Sequence, residues 1–556
     1  TQTDSQGTFA LAAPDVRSVV IRCAYCVPLT LAVSSGEPVV ALVHRYTAIA
    51  QQNPSQRDIA SLPYARAESD ASLAAFTLLE NSSHALPGAQ LSNRGLASRG
   101  SLLLDNGIPI YDIATNQSPF VAFPAYALRG ASFLPPSEAF AYGDLAGGGT
   151  VIADTHGDSP WSGVLTAGNQ RAFGAAQSLG DRAWMAAVSA DGQDTRERAD
   201  ASFHIPTGDD ALEVSALAAA DRLAPSAQYL NSSLGGMRIA FSSTRENRVD
   251  ASLTANAGGY DGDTPMVDYW ARWSDVQAQG GVTTGSRIQF FADVSARTSS
   301  GSYRTSSATL ALTAGTVAQT RVDAGVQTFG ERYALRAGAG AYALHYEGGS
   351  DGRRAVLDGG IVTPSFLGSY AFDPHWTLEL QAGTSFDLPT VLEAFVYPPD
   401  DPALTLDRNA MVTGTLSYGD LRRFRASLTA SAERVSGLDT GTVHSAGVSA
   451  AWQIAPAFAL RAWLLRDNDD TRPYEAVYRF GARPRPSTVG SYWLTYEAAG
   501  VRIDAIYRRD LLDYGADPHF DASLSLPLRS GVRIFAASER RAGVRYASAG
   551  LRFQTP

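Results

Sequence analysis

The stretch Val501-Arg-Ile-Asp-Ala-Ile-Tyr-Arg-Arg509 carries the pattern that decides the fold. Val501, Ile503, Ala505 and Tyr507 share one face, and Arg502, Asp504, Ile506 and Arg508 the other, the period of two that an extended strand gives. In a soluble sandwich the apolar face would be the core. In an outer-membrane barrel it would meet lipid, and the polar face would line the lumen.

Working outward, the same texture fills the chain after Trp161 in segments of about 8 to 14 residues between Gly, Asp, Asn, Ser or Pro. Residues 182–190, 286–297, 333–346, 376–384, 422–434, 457–466, 491–496 and 543–553 are examples. The roughly 395 residues in this pattern are too many for one sandwich, which leaves tandem sandwiches or one large barrel. Aromatics near strand ends (Tyr474, Tyr478 and Phe480; Tyr492, Trp493 and Tyr496) read as interfacial girdles and favour the barrel. No fixed-period repeat marks a propeller or solenoid.

The whole composition agrees. The 556 residues include 51 Gly, 28 Pro, 8 Trp, 23 Tyr and 22 Phe, and 45% are apolar, yet no run of about 18 apolar residues spans a membrane as a helix. Every basic residue is Arg, and 45 basic against 55 acidic residues leave a net charge of −10. That balance excludes a nucleic-acid binder relying on a basic face. The chain starts at Thr1 with neither Met nor an apolar leader, the pattern of an exported, processed chain.

Before Trp161 the texture is mixed. Residues 1–36 read as a separate N-terminal segment, 37–158 as a compact domain and 159–556 as the strand-rich region. Leu73, Phe76, Leu78 and Leu79 have roughly helical spacing over residues 72–86, ending at Pro87-Gly88.

Three motifs, in order, resemble the TonB-dependent outer-membrane receptor family. Leu86-Pro-Gly-Ala-Gln-Leu-Ser-Asn-Arg-Gly95 is similar to its Pro-Gly-Val…Arg-Gly segment. Leu102-Leu-Leu-Asp-Asn-Gly-Ile-Pro-Ile-Tyr111 is similar to its apolar strand ending Asp-Gly-Val-Pro, with an extra Asn between Asp105 and Gly107. Pro136 to Thr155, with Tyr142, Gly143, Ala146, Gly147 and Gly148, resembles the end of the family's plug before a last strand at residues 150–153. Further on, Trp376-Thr-Leu-Glu-Leu-Gln-Ala-Gly-Thr-Ser-Phe-Asp-Leu-Pro-Thr390 resembles a family strand followed by Phe-x-x-Pro-Thr, and Leu404-Thr-Leu-Asp407 sits where the family has Leu-x-Pro-Glu. Gln554-Thr-Pro556 follow the last strand aromatic, Phe553, where such barrels usually end on the aromatic itself. The short stretch between Arg94 and Asp105 suggests a trimmed plug.

The resemblance implies a mainly β fold: a 22-stranded antiparallel transmembrane β-barrel with an N-terminal α+β plug inside its lumen. At about 18 residues per strand and connection, with spanning strands of about 10 residues, it implies short extracellular loops. It implies energised uptake of a scarce nutrient across the bacterial outer membrane, most often a ferric siderophore, by a monomeric barrel with no cofactor and no catalysis. The partners would be outer-membrane lipid, TonB with its inner-membrane energising complex, and a small-molecule or metal-chelate substrate.

TonB is gripped by β-strand addition, where backbone hydrogen bonds carry the affinity. Ser18-Val-Val-Ile21 is the candidate box, and an ordinary plug strand is its other reading. Thr8-Phe-Ala-Leu-Ala12 is a second candidate. The resemblance places substrate at a plug apex on residues 112–126, where Asn116, Gln117, Phe120, Phe123 and Tyr126 suit a neutral or aromatic ligand. Arg99 and Arg129 would add anionic contacts. Cys23-Ala-Tyr-Cys26 reads as a local disulfide, a soft-metal site or a redox pair. Its two thiolates leave metal coordination incomplete.

Two other function classes stay open. One is a passive or structural barrel without TonB coupling. The other is a hydrolase using Ser159 in Gly157-Asp-Ser-Pro160, but no Asp-x-x-His follows, and Asp373-Pro-His375 and Asp517-Pro-His519 have the wrong spacing. Gly-x-Ser-x-Gly, His-Glu-x-x-His and the phosphate loop are all missing from the sequence.

Overall fold

The computed structural model describes residues 102–110 and most of 161–554. It also gives the backbone of the strands β1 (Ser18–Ile21), β2 (Leu29–Ala32), β3 (Phe76–Asn81), β4 (Gly88–Asn93), β7 (Gly130–Leu134) and β8 (Thr150–Asp154).

From β9 (Trp161–Gly168) to β30 (Val544–Gln554), 22 consecutive strands pair antiparallel with their chain neighbours. The ring closes where β30 pairs with β9, Leu551 opposite Leu165 and Phe553 opposite Gly163. Closure leaves no strand edge, which lipid requires because it offers no hydrogen bonds.

The faces follow the alternation. In β27 (Val501–Asp510), Arg502, Asp504 and Ile506 are buried in the lumen, while Ile503 and Tyr507 are exposed. Elsewhere Phe290, Val294, Val322, Val362, Val412 and Leu428 point outward and stay exposed. A continuous exposed apolar face around a closed ring is the surface of a barrel standing in lipid. No helix among the described residues is long and apolar enough to cross a membrane.

One end of the ring has connections of two to four residues throughout, such as 330–332, 372–375 and 499–500. The other end includes 388–406 and 470–486. Short turns mark the periplasmic end and longer loops the extracellular end. Aromatics gather at the short-turn end. Tyr370 meets Phe372 edge-on with ring centroids 5.3 Å apart, Trp376 tilts against Tyr418 at 5.0 Å, and Phe458 tilts against Tyr496 at 4.8 Å. Tyr492 also faces outward, but Trp493 does not belong to this girdle: it is buried on the lumen side, where its Nε1 donates to Asp504 Oδ1 at 2.9 Å. Adjacent strand residues point to opposite faces, so both could not face lipid. Tyr474, Tyr478 and Phe480 lie outside the described residues.

The expected ten-residue strand holds on only part of the ring. Strands run from 8 residues in β9 to 19 in β20 (Arg353–Ala371). The consecutive strands β14 (Tyr229–Ser243) to β20 are 15 to 19 residues long. About 9 to 11 tilted residues cross the bilayer. On this side the chain extends the strands beyond it, making a tall wall opposite a low one.

In the N-terminal region, β5 (Leu102–Asp105) and β6 (Ile108–Ile110) join β8 and β7 in a four-stranded sheet ordered β6-β5-β8-β7. Within it β5 runs parallel to β8. The strands of two family-like motifs, more than 40 residues apart in sequence, thus lie side by side. Among the described residues the elements here are strands. The helical spacing over residues 72–86 is overturned: Phe76–Asn81 is a strand, paired antiparallel with Gly88–Asn93 so that Leu78 faces Leu91. A short apolar run fits either period, and a partner strand decides it.

Candidate functional site

The hairpin Asp105-Asn106-Gly107-Ile108 is where the N-terminal sheet meets the barrel wall. Asn106 and Gly107 both take positive φ, 49° and 78°, and Asp105 pairs with Ile108. Two central residues with positive φ make a type I′ turn, for which Asn-Gly is the favoured sequence. The extra Asn is therefore the first residue of a two-residue hairpin loop.

This turn delivers Asp105 to the wall. Asp105 is fully buried, and its Oδ2 accepts a charge-assisted hydrogen bond from Arg198 Nη2. Arg198 lies on the inward face of β12 (Asp194–Thr207) and also binds Asp200 Oδ2 through Nε at 3.2 Å. Next along β6, the Pro109 carbonyl accepts from Asn256 Nδ2 of β15 (Arg248–Asp263) at 2.9 Å. Ile108 packs so tightly on Gly236 of β14 that a Cβ there would come within 2.8 Å of the Ile108 Cγ2. Arg238, paired with Glu213 at 3.2 Å, lies across Gly107. Charge, a backbone hydrogen bond and a shape-matched apolar contact thus fix one tip against three strands. A buried ion pair alone is a poor source of stability, but losing one partner strands a charge at a cost of about 3–5 kcal/mol.

Above and beside the tip the lumen has two textures. At mid-height its charges pair within the wall: Arg297 Nε binds Asp275 Oδ1 at 2.5 Å, and Arg321 binds Asp323. Hydroxyls pair between strands, Thr415 with Thr429 at 2.9 Å and Ser427 with Ser449 at 2.7 Å. Buried aromatics stand beside and above these charges, Tyr342 directly opposite Arg321. Tyr260 and Trp273 tilt together at 6.3 Å, and Tyr342 meets Phe386 edge-on at 4.9 Å. A wall that pairs its own charges and presents hydroxyls and rings suits binding and passage of a polar or aromatic solute.

Of the residues singled out from sequence, Asp105 and Gly107 come together at this tip. Ser18, Val19, Val20 and Ile21 form β1, paired antiparallel with β2 in a two-stranded sheet. Arg94, Gly95, Arg99, Asn116, Gln117, Phe120, Phe123, Tyr126, Arg129, Tyr142, Gly143, Gly147, Gly148, Cys23 and Cys26 lie outside the described residues, as does Ser159. Asp373-Pro-His375 is a periplasmic turn: Asp373 Oδ1 accepts the His375 and Trp376 amides at 2.7 and 2.8 Å, which hold its carboxyl below the usual carboxylate range. Among the described residues no group of three or more His, Cys, Asp or Glu could hold a metal ion. Sequence reading missed Arg198, Asn256 and Gly236. The Arg-x-Asp on the polar face of β12 was the one visible signal.

A closed 22-stranded ring touched on its lumenal wall by the tip of an N-terminal sheet has clear counterparts among solved structures. Superposition on the alcaligin outer-membrane receptor FauA from Bordetella pertussis gives a TM-score of 0.71 at 12% identity, covering 95% of this chain and 96% of that one. The ferric yersiniabactin uptake receptor FyuA from Yersinia pestis gives 0.70 at 11% identity, covering 91% and 97%. The copper transporter OprC gives 0.69 at 11% identity, covering 89% and 96%. This is the fold of the TonB-dependent outer-membrane receptors. In that fold the N-terminal sheet carrying the Asp105 tip takes the place of the plug, and the ring that of the surrounding barrel. No protein-family model and no curated protein matches the sequence.

Proposed function

We propose that the protein takes up a scarce, compact nutrient, a ferric siderophore or another metal chelate, across the bacterial outer membrane, driven through TonB. The observation that carries this reading is a plug tip locked to the wall of a closed barrel. A plug held in this way has to be released before a solute can pass, which requires an energy source at the periplasmic side. The strand β1 supports the coupling: within its two-stranded sheet it has one edge paired with β2, and strand addition needs a second edge. In this reading residues 1–36 reach TonB, 37–158 form the plug and 159–556 the barrel. The loop 112–126, with Asn116, Gln117, Phe120, Phe123 and Tyr126, offers the substrate its first contacts.

The test is uptake of a panel of radiolabelled ferric siderophores by cells whose own receptors are deleted and which express the full chain. Saturable accumulation of at least one chelate is expected, and it should stop when a protonophore collapses the inner-membrane gradient. Accumulation that persists after collapse would indicate a passive barrel. No accumulation of any chelate, in cells where the barrel is assembled, would overturn the substrate class.

A further inference from the structure

The tall wall ends in an open strand edge. β20 pairs with β19 (Tyr333–Ser350) along its length, from Arg353 opposite Ser350 to Tyr370 opposite Tyr333. With β21 (Trp376–Asp387) it pairs only from Ala371 opposite Thr377 up to Ser365 opposite Gly383. β21 itself continues beside β22 (Asp407–Asp420) as far as Asp387 opposite Asp407, and its Phe386 reaches across the lumenal side of β20 to Tyr342. Above Ser365, among the described residues, no strand pairs with the β21 side of β20. A Cβ on Gly359 would meet nothing within 4 Å, and Val362 is 67% exposed against 40% for Phe366, where β21 is alongside. The space beside this edge is open.

Backbone direction shows what the edge carries. At the periplasmic end Ala371 N donates to Arg332 O, just before β19, at 2.7 Å, and Phe372 N donates to Trp376 O of β21 at 3.0 Å. Successive strand residues aim their backbone groups at alternate neighbours, so the even-numbered residues of β20 aim at β21. Pro364 is the first even position past the ladder and has no N–H to give, which is where pairing with β21 stops. Beyond it Val362, Gly360, Asp358, Val356 and Arg354 turn N–H and C=O groups to the gap. Height makes this tolerable. Val362 stands nine residues above Ala371, which lies in the aromatic girdle of Tyr370 and Phe372. At about 3.3 Å per residue and about 40° of tilt that is a climb of about 23 Å, close to the top of an apolar band of about 25 Å. The ring is closed at lipid height, and the edge opens above it.

We infer that this edge docks an extended, uncharged strand of another protein at the cell surface. An unpaired edge is a template for strand addition, in which backbone hydrogen bonds carry the affinity. No bulge blunts it, since the register with β19 is unbroken. Its charges pair within the wall: His345 Nδ1 lies 2.6 Å from Asp358 Oδ1, and Arg354 binds Glu347. The backbone groups and the exposed Val356 and Val362 are what the edge offers a partner. A second copy does not fit. Copies in one membrane insert the same way round, and a two-fold axis along the membrane normal cannot pair strands that tilt from it by about 40°. An added strand would continue the wall instead of entering the lumen, so the site anchors a partner and leaves the transport route free.

The probe is a short fluorescein-labelled peptide of alternating Val and Thr, titrated onto the full chain in a neutral maltoside detergent and read by anisotropy. Its twin carries N-methyl groups on every second residue, which removes the donors of one bonding edge. The wild-type protein should bind the unmethylated peptide at least tenfold more tightly than its twin. Gly360→Pro, which removes an edge N–H, should lose at least tenfold of that affinity. Gly360→Ala, which keeps the N–H and places its Cβ an ordinary 3.5 Å from the Tyr342 carbonyl, should lose none. The proposal is overturned if methylation makes no difference, if Gly360→Pro binds as the wild type does, or if the unmethylated peptide does not bind, which would mean that the chain covers its own edge. A dimer in native mass spectrometry that Gly360→Pro abolishes would also overturn it, in favour of a second copy. Heat-modifiable mobility reports whether Gly360→Pro assembles, and if it does not, the two peptides on the wild-type protein decide. On intact cells the bound peptide should stay open to added protease. Protection from protease would make the edge an entry point for substrate and overturn the docking role.

Discussion

At the residue scale, Asp105 shows how much one buried charge decides. It is fully buried at a hairpin tip, and its partner Arg198 stands on another element 93 positions away. Arg198 keeps Asp200 when Asp105 is removed, so the cost should fall toward the lower end of the 3–5 kcal/mol typical of a broken buried pair. Asp105→Ala is accordingly expected to reduce amide-exchange protection across residues 102–110 roughly a hundredfold, the equivalent of about 3 kcal/mol. The exchanged pair Asp105→Arg with Arg198→Asp should recover part of it. Unchanged exchange in the single variant would mean that the apolar contact at Gly236 holds the tip instead.

At the level of elements, the hairpin β5–β6 shows a local sequence rule at work. Asn106-Gly107 writes a type I′ turn, and the turn aims Asp105 and Pro109 at the wall. Gly107→Ala puts a Cβ into a positive-φ position, at about 1–2 kcal/mol, and brings it within 3.0–3.2 Å of the Arg238 side chain. Because that side chain is flexible, the backbone strain should dominate, and the expected loss of protection in the hairpin is about tenfold. Asn106→Gly, which relieves strain at the neighbouring position, should leave protection near the wild-type level. The strand β3 is the opposite case. Leu73, Phe76 and Leu79 satisfy a helical period, but the chain spends Phe76 and Leu79 in a hairpin because Gly88–Asn93 offers a full antiparallel register.

For the whole molecule, orientation follows from the unequal ends of the ring. Short turns and aromatics mark one rim, and the longer connections the other. In a background with Cys23 and Cys26 replaced by serine, Arg304→Cys near the extracellular end of β17 (Ile288–Thr305) should react with a membrane-impermeant maleimide in intact cells. His375→Cys in a short turn should react only once the outer membrane is permeabilised. The reverse pattern would invert the barrel. The tall wall from β14 to β20 also belongs to this scale, since no single strand reveals that its neighbours are long as well.

The sequence by itself determined the strands and their two faces. Alternation in segments such as Val501 to Arg509 assigns an apolar and a polar face residue by residue, because a strand's period of two has no freedom to rotate; that the apolar face meets lipid follows from the closed ring. The Asn-Gly turn was equally local, and the order of the plug-like motifs carried the resemblance to the receptor family. Only the tertiary structure decided what crosses between elements. It took the closed ring to bring Arg198, Gly236 and Asn256 to one tip and to turn Trp493 into the lumen beside Asp504. Those relations depend on strand register and tilt around the whole circumference, and no window of sequence contains them.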